Sequence, residues 1–197
     1  MNDERQGLLA RRQELMIKTL ERLIPRIRVM YVAGGLLVLL GSAALASAMV
    51  SKVDSLVPIG IFMVVGGLFE MGVGHVAREE DGAPPPFMLS GAAHMIAGFT
   101  AMFGPLLPGY ALTSILGTSL AFAGVTWMRA GFALPQTVQA PVVALSGGIT
   151  GLAGLLILSR WAGDNHHIMA LLLGGEMMLR GWAWFAFALT LQRVMRK

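Results

Sequence analysis

Six apolar stretches follow one another along this chain, each closed by a short polar or proline-bearing segment. They cover residues 28–50, 56–77, 86–104, 109–132, 139–160 and 166–190. Each is about 19 to 25 residues long, enough to cross a hydrocarbon core roughly 30 Å thick as a helix. The separators are Ser51–Ser55, Arg78–Gly82, Gly104–Pro108, Pro135–Thr137 and Ala162–Asn165. A membrane barrel would instead show alternating segments of about ten residues. The pattern predicts an all-α membrane protein with six transmembrane helices.

Glycine adds a second, longer period. Gly34, Gly91 and Gly148 stand 57 positions apart, as do Gly60, Gly117 and Gly174, and Gly67, Gly124 and Gly181. Gly41 matches Gly98, Pro84 matches Pro141, and Gly74 matches Gly131, with small Ala188 in third place. The one departure is Leu155, where a glycine is expected; Gly154 stands beside it. Such self-similarity marks an internal repeat. Three copies, over about residues 28–80, 85–134 and 139–190, each hold two spans, so the unit is a helical hairpin. Hairpins have an even number of spans, so all copies point the same way through the bilayer. That implies a pseudo-threefold axis along the membrane normal. Residues seven apart share a helix face, so Gly60, Gly67 and Gly74 form a smooth stripe, repeated by Gly117, Gly124 and Gly131 and by Gly174, Gly181 and Ala188. Helices in lipid associate through close backbone approach, which small residues permit. The nine glycines of the three columns are therefore expected to be helix-packing positions. They serve equally well within one chain or between chains, so a homo-oligomer stays open.

Composition agrees with burial in lipid. The chain is 55% hydrophobic and 13% charged, with mean hydropathy +0.68; soluble domains carry about 25% charged residues. Cysteine is absent, which excludes disulfides and thiolate chemistry. A pI of 10.1 and a net charge of +4 would suit nucleic acid, but the positions of the charges argue against it. Arg5, Arg11, Arg12, Lys18, Arg22, Arg26, Arg28, Arg78, Arg129, Arg193, Arg196 and Lys197 collect on one side, against Lys52 and Arg160 on the other. Positive residues stay in the cytoplasm, so both termini are expected there, in a multi-pass protein of the bacterial inner membrane. Residues 1–27 form a separate piece. Leu8, Leu15, Met16, Leu20, Leu23 and Ile24 recur at helical spacing among basic residues, and Pro25 ends the run. This predicts an amphipathic helix lying on anionic lipids of the cytoplasmic leaflet, or else a solvated cytoplasmic helix. Residues 191–197 are a basic cytoplasmic tail. Ala44-Leu45-Ala46 is similar to a signal cleavage site, but the charged region before it is too long, and Gly34 and Gly41 are in register with later copies.

The hairpin unit is a small-rich span, a short turn with proline, then Gly-x6-Gly and a basic or aromatic residue near the cytoplasmic end. Here it reads Ser90-Gly91-Ala92 through Gly98, then Pro105, then Gly117 through Gly124-Val125-Thr126-Trp127-Met128-Arg129. In this it resembles the HdeD family of bacterial acid-resistance membrane proteins, over roughly residues 28–190. The resemblance implies a six-helix inner-membrane protein linked to acid tolerance. It brings no catalytic residues with it. The length of the basic amino-terminal helix and the charges in the sixth span are this chain's own.

Candidate chemistry lies in the ionisable residues at membrane depth: Glu70, His94, Glu176 and Arg180. Such residues are costly in lipid, and so face the interior in pairs. Glu176 and Arg180 are four apart and can meet on one helix face. Arg180 matches Gly66, one turn outward of Glu70, so a shared axis would bring Arg180 and Glu70 together. His94 enters the third span about as deep as Glu70 sits in the second. One buried cluster of four is the expectation. It serves either to fix helix register or to sense or conduct protons; the remaining option is that some members snorkel to an interface. Adjacent His166 and His167 share no helix face, and no HExxH partner pattern exists, so no metal is expected. Trp127, Trp182, Trp184 and Tyr31 near the cytoplasmic ends read as interface anchors. The 14 methionines read as packing filler. With no phosphate-binding glycine loop and no nucleophile–base constellation, neither an enzyme nor a cofactor is expected. Two functional classes remain: a non-enzymatic envelope-stress or acid-tolerance protein, and a small transporter or channel-like protein using the polar cluster. The apolar outer halves of spans one, three and five favour the first.

Overall fold

The computed structural model of the chain describes residues 25, 27–50, 56–77, 86–133, 140–161 and 165–195. Nearly all of the expected helix over residues 1–27 lies outside the described residues, as do residues 51–55 and 78–85 and the last two residues. The long helices are α1 (Ile27–Val50), α2 (Val57–Ala77), α3 (Pro86–Met102), α4 (Gly109–Ala133), α5 (Ala140–Leu158) and α6 (His166–Met195). Among the described residues there is no strand.

Local chemistry sets several boundaries. Pro58, Pro86 and Pro141 stand in the first turns of α2, α3 and α5, where a missing N–H costs nothing and a fixed φ suits the helix. Pro105 stands inside, and Pro108 just after, a single 3-10 turn, Gly104–Leu106, that reverses the chain between α3 and α4. Asn165 caps α6 by accepting from the His167 and Ile168 amides at 3.0 and 3.2 Å, supplying partners for orphan donors. At its other end α6 runs to Met195, past residue 190 where the apolar stretch stops. Packing explains the extension. Leu191 is buried, and Tyr31 on α1 donates to Gln192 Oε1 at 2.9 Å.

Among the described residues, four helices are long and apolar enough to cross a membrane: Ile27–Ala46, Val57–His75, Gly109–Phe132 and Pro141–Leu158. α3 has 17 residues, and the apolar run of α6 is interrupted by Glu176 and Arg180. The outward faces of α1 and α2 are apolar, with Val32, Leu36 and Leu39 on one and Ile61, Val65 and Leu68 on the other all exposed. A surface of that kind suits lipid rather than water.

The closest helix pairs are α2 with α3, α4 with α5, and α6 with α1. Glycines make these contacts. A Cβ on Gly67 would lie 2.6 Å from the Gly91 carbonyl, and one on Gly91 would lie 2.5 Å from the Gly67 carbonyl. Gly60 and Gly98 face each other in the same way, at 2.5 and 2.7 Å. On the α6–α1 seam a Cβ on Gly181 would lie 2.7 Å from the Gly34 carbonyl, and one on Gly41 3.0 Å from the Gly174 carbonyl. At such distances any side chain must separate the helices.

The α4–α5 seam differs by one residue. Gly117 meets Gly154, and Gly124 meets Gly147 and Gly151. A Cβ on Gly148 meets nothing within 4 Å. Gly148 therefore does not pack a helix against its neighbour, unlike the other eight column glycines, and Gly147 takes its place. The same one-residue offset accounts for Leu155: it points outward, 55% exposed, while Gly154 fills the seam. The match between α3 and α5 thus runs at 56 positions, pairing Gly91 with Gly147 and Gly98 with Gly154.

Candidate functional site

Three helices bring Glu70, His94, Glu176 and Arg180 to one place. α2 supplies Glu70, α3 supplies His94, and α6 supplies Glu176 and Arg180 one turn apart. Their relative exposures are 0%, 3%, 2% and 3%, so none of the four snorkels to a surface. α5 adds Thr150, α3 adds Ser90, and α4 and α6 add Trp127 and Trp184.

Arg180 is the hub. Its Nη1 donates to Glu70 Oε1 at 2.6 Å and to Ser90 Oγ at 3.0 Å. Its Nε donates to Glu176 Oε1 at 2.7 Å, and its Nη2 to Thr150 Oγ1 at 3.2 Å. The guanidinium carbon also lies 5.2 Å from the centre of the Trp127 ring, within cation–π reach. A flat, fixed fork of donors is what lets one side chain hold partners on four helices. In its 57-residue column Arg180 is matched by Ala123 and Gly66, both buried, so one large side chain is set against two small ones.

Each carboxylate concentrates its bonds on one oxygen. Glu70 Oε1 accepts from Arg180 and from the indole N–H groups of Trp127 at 3.2 Å and Trp184 at 3.5 Å. Glu70 Oε2 accepts from Ser90 Oγ at 2.9 Å. Glu176 Oε1 accepts from Arg180 Nε and lies 2.9 Å from Thr150 Oγ1 and 3.3 Å from His94 Nε2. Glu176 Oε2 is buried with no hydrogen-bond partner. His94 also places Nδ1 3.0 Å from the Ser90 carbonyl. Thr150 stands to Ser146 as His94 stands to Ser90, with its hydroxyl 3.0 Å from the carbonyl four residues back. The two pairs are related by the 56-position offset seen in the glycines.

Apolar layers close the cluster above and below. Toward the Ala77 and Pro86 ends lie Phe87, Trp127, Trp184 and Phe187. The Trp127 and Trp184 rings meet edge to face with centroids 5.3 Å apart, and Phe87 packs on both at 5.3 and 5.5 Å. Toward the opposite end Met63, Leu116, Leu120 and Leu173 are fully buried. Trp127 and Trp184 are therefore core residues, 1% and 0% exposed, not interface anchors. Their indoles are drawn inward because Glu70 offers an acceptor in an otherwise apolar layer. Trp182 is exposed, and Tyr31 is half-buried against Phe185.

Sequence reasoning singled out the charged members and missed Ser90, Thr150, Trp127 and Trp184. A signal for the tryptophans was present: Glu70, Trp127 and Trp184 share one 57-residue column. No comparable signal marks Thr150, because α5 is displaced by one position. Among the described residues no group of acidic, His or Cys side chains could hold a metal ion.

The chain is thus an all-helical protein with helices of membrane-crossing character around a buried ionic network. No protein-family model, curated protein or solved structure matches it.

Proposed function

We propose that this chain is a non-enzymatic, six-span protein of the bacterial inner membrane, of the acid-resistance or envelope-stress type, in which the buried cluster is a structural tie. α3 and α6 join the four more apolar helices as spans. Three hairpins are related by a pseudo-threefold axis, and the even helix of each packs on the odd helix of the next. Both termini face the cytoplasm, where the amphipathic helix over residues 1–27 lies on anionic lipid. The Lys and Arg asymmetry supports the orientation. The hairpin motif similar to that of the HdeD family supports the acid-tolerance reading.

One observation carries the structural role: Arg180 bonds to groups from four helices, inside a cluster sealed by fully buried apolar side chains. A proton path needs polar groups strung from face to face, and this network occupies one layer. The competing reading, a transporter or channel-like protein, is favoured by a single feature, the unpartnered Glu176 Oε2.

The test is a charge-free network. Arg180 binds Glu70 as closely as Glu176, so both acids must be changed with it, as Glu70→Gln, Glu176→Gln and Arg180→Met together. Replacing a buried ionic group by neutral ones of similar volume is often close to neutral in stability. The triple variant is expected to fold in membranes and to keep the parent's protection of cells at low pH. A well-folded triple variant that loses protection, or loses a proton flux that the parent shows in liposomes, would sink the structural reading.

A further inference from the structure

The formal charges of the cluster do not balance. Two carboxylates, Glu70 and Glu176, face one guanidinium, and all three groups are buried. An uncompensated buried charge is strongly disfavoured. The donors and acceptors around His94 point to where the balancing charge resides. Its Nδ1 lies 3.0 Å from the Ser90 carbonyl oxygen, which can only accept, so Nδ1 must carry a hydrogen. Its Nε2 lies 3.3 Å from Glu176 Oε1. That oxygen is held by Arg180 Nε at 2.7 Å as an ion pair; a carboxylate in such a pair only accepts, and Nε2 facing it then carries a hydrogen as well. A neutral imidazole has one N–H and one lone pair. In either tautomer it would aim that lone pair at an oxygen.

We propose that His94 is a doubly protonated imidazolium in the folded protein at neutral pH, so that the cluster binds one proton and is electrically neutral as two carboxylates, one guanidinium and one imidazolium. The titratable or charged groups facing His94 are Glu70 from α2, with its Oε2 3.9 Å from Nδ1, and Glu176 with its Arg180 partner from α6. α5 presents only the neutral hydroxyl of Thr150 to the same Glu176 oxygen, and α4 presents the Trp127 indole to Glu70. The competing placement puts the proton on Glu176 Oε2, the oxygen with no partner. There the O–H would have no acceptor; a proton on Oε1 instead could donate to Nε2 of a neutral ring, but would replace the 2.7 Å ion pair with Arg180 by a neutral contact. The inference stands on hydrogen-bond geometry together with the charge balance of the ion pairs, and holds under either functional reading.

Nitrogen NMR of the full chain in lipid nanodiscs tests it. The chain has 4 histidines. His75, His166 and His167 are not buried, so H75Q/H166Q/H167Q leaves His94 as the single labelled ring without touching the cluster. At pH 7.5 a free imidazole is mostly neutral. The expected spectrum has both His94 ring nitrogens in the protonated range and coupled to hydrogen. Adding E176Q removes one negative charge, and His94 is then expected to revert to a neutral ring with one protonated nitrogen. A neutral His94 ring at pH 7.5 in the parent background would overturn the proposal. A protonated-carboxyl infrared band that E176Q abolishes would overturn it too, and would place the proton on Glu176. An imidazolium that persists unchanged in E176Q would also refute it, since charge balance would not be its cause.

Discussion

The indole N–H of Trp127 donates to the carboxylate of Glu70 at 3.2 Å, and the two residues stand 57 positions apart, the interval at which the column glycines recur. Trp184, 114 positions from Glu70, reaches the same oxygen at 3.5 Å. One column of the sequence thus meets itself at one atom. Hydrogen bonds to charged groups contribute about 1.5–3 kcal/mol, so Trp127→Phe is expected to lower stability by roughly that amount. Trp184→Phe should cost less, because its bond is longer. Thermal unfolding of the purified protein in detergent, followed by near-UV circular dichroism, gives the order. Equal tolerance of both changes would show that Glu70 does not depend on the indoles.

Removing Arg180 leaves two buried carboxylates with His94 as their one shared basic neighbour, whereas removing either acid leaves the guanidinium one anionic partner. Arg180→Ala is therefore expected to cost about 3–5 kcal/mol, the range for an uncompensated buried charge. Glu70→Ala and Glu176→Ala should each cost less. Comparing membrane-inserted yield and midpoint temperature across the three variants decides this. An Arg180→Ala protein as stable as the acid variants would mean that the network adds little to folding.

The one-residue offset of α5 predicts opposite outcomes for adjacent glycines. Gly147→Leu drives a side chain into the Gly124 backbone, and Gly154→Leu does the same at Gly117. Each is expected to destabilise severely, as are Gly67→Leu, Gly124→Leu and Gly181→Leu, since two helices must part to admit the side chain. Gly148→Leu points into open space and should be tolerated. The melting temperatures of the six variants in one detergent are the measurement; a damaging Gly148→Leu beside a harmless Gly147→Leu would reverse the register given for α5.

For the proposed orientation, cysteines at Ser55 and Asn165 should react with a membrane-impermeant maleimide added outside intact cells. A cysteine at Glu80 should react only after the cells are opened. Labelling of the Glu80 position from outside would invert the topology.

The order and character of the helices were legible in the sequence because apolar runs and their proline and polar breaks are local signals. α2 begins at Val57 and α4 at Gly109, within a residue or two of where the apolar pattern starts. The glycine interval also exposed which helix faces are smooth, since a face follows from spacing alone. Partners do not follow from spacing. Spacing alone allows the Gly67 stripe a neighbour in its own chain or in another; in the fold it lies against the backbone carbonyl of Gly91 in the same chain. The charged quartet was visible as residues too costly to leave in lipid. The neutral groups that complete it were not: Ser90 and Thr150 are ordinary helix residues until an Arg180 donor reaches them, and Trp127 and Trp184 have the amphipathic chemistry of interface anchors. What drew those indoles inward is a buried acceptor on another helix. What moved Thr150 rather than its neighbour into the cluster is the rotation of α5 that seats Gly147 and Gly154. Both depend on which surfaces meet in three dimensions. The sequence determines helices and faces through local periodicity; only tertiary packing selects the register in which those faces close.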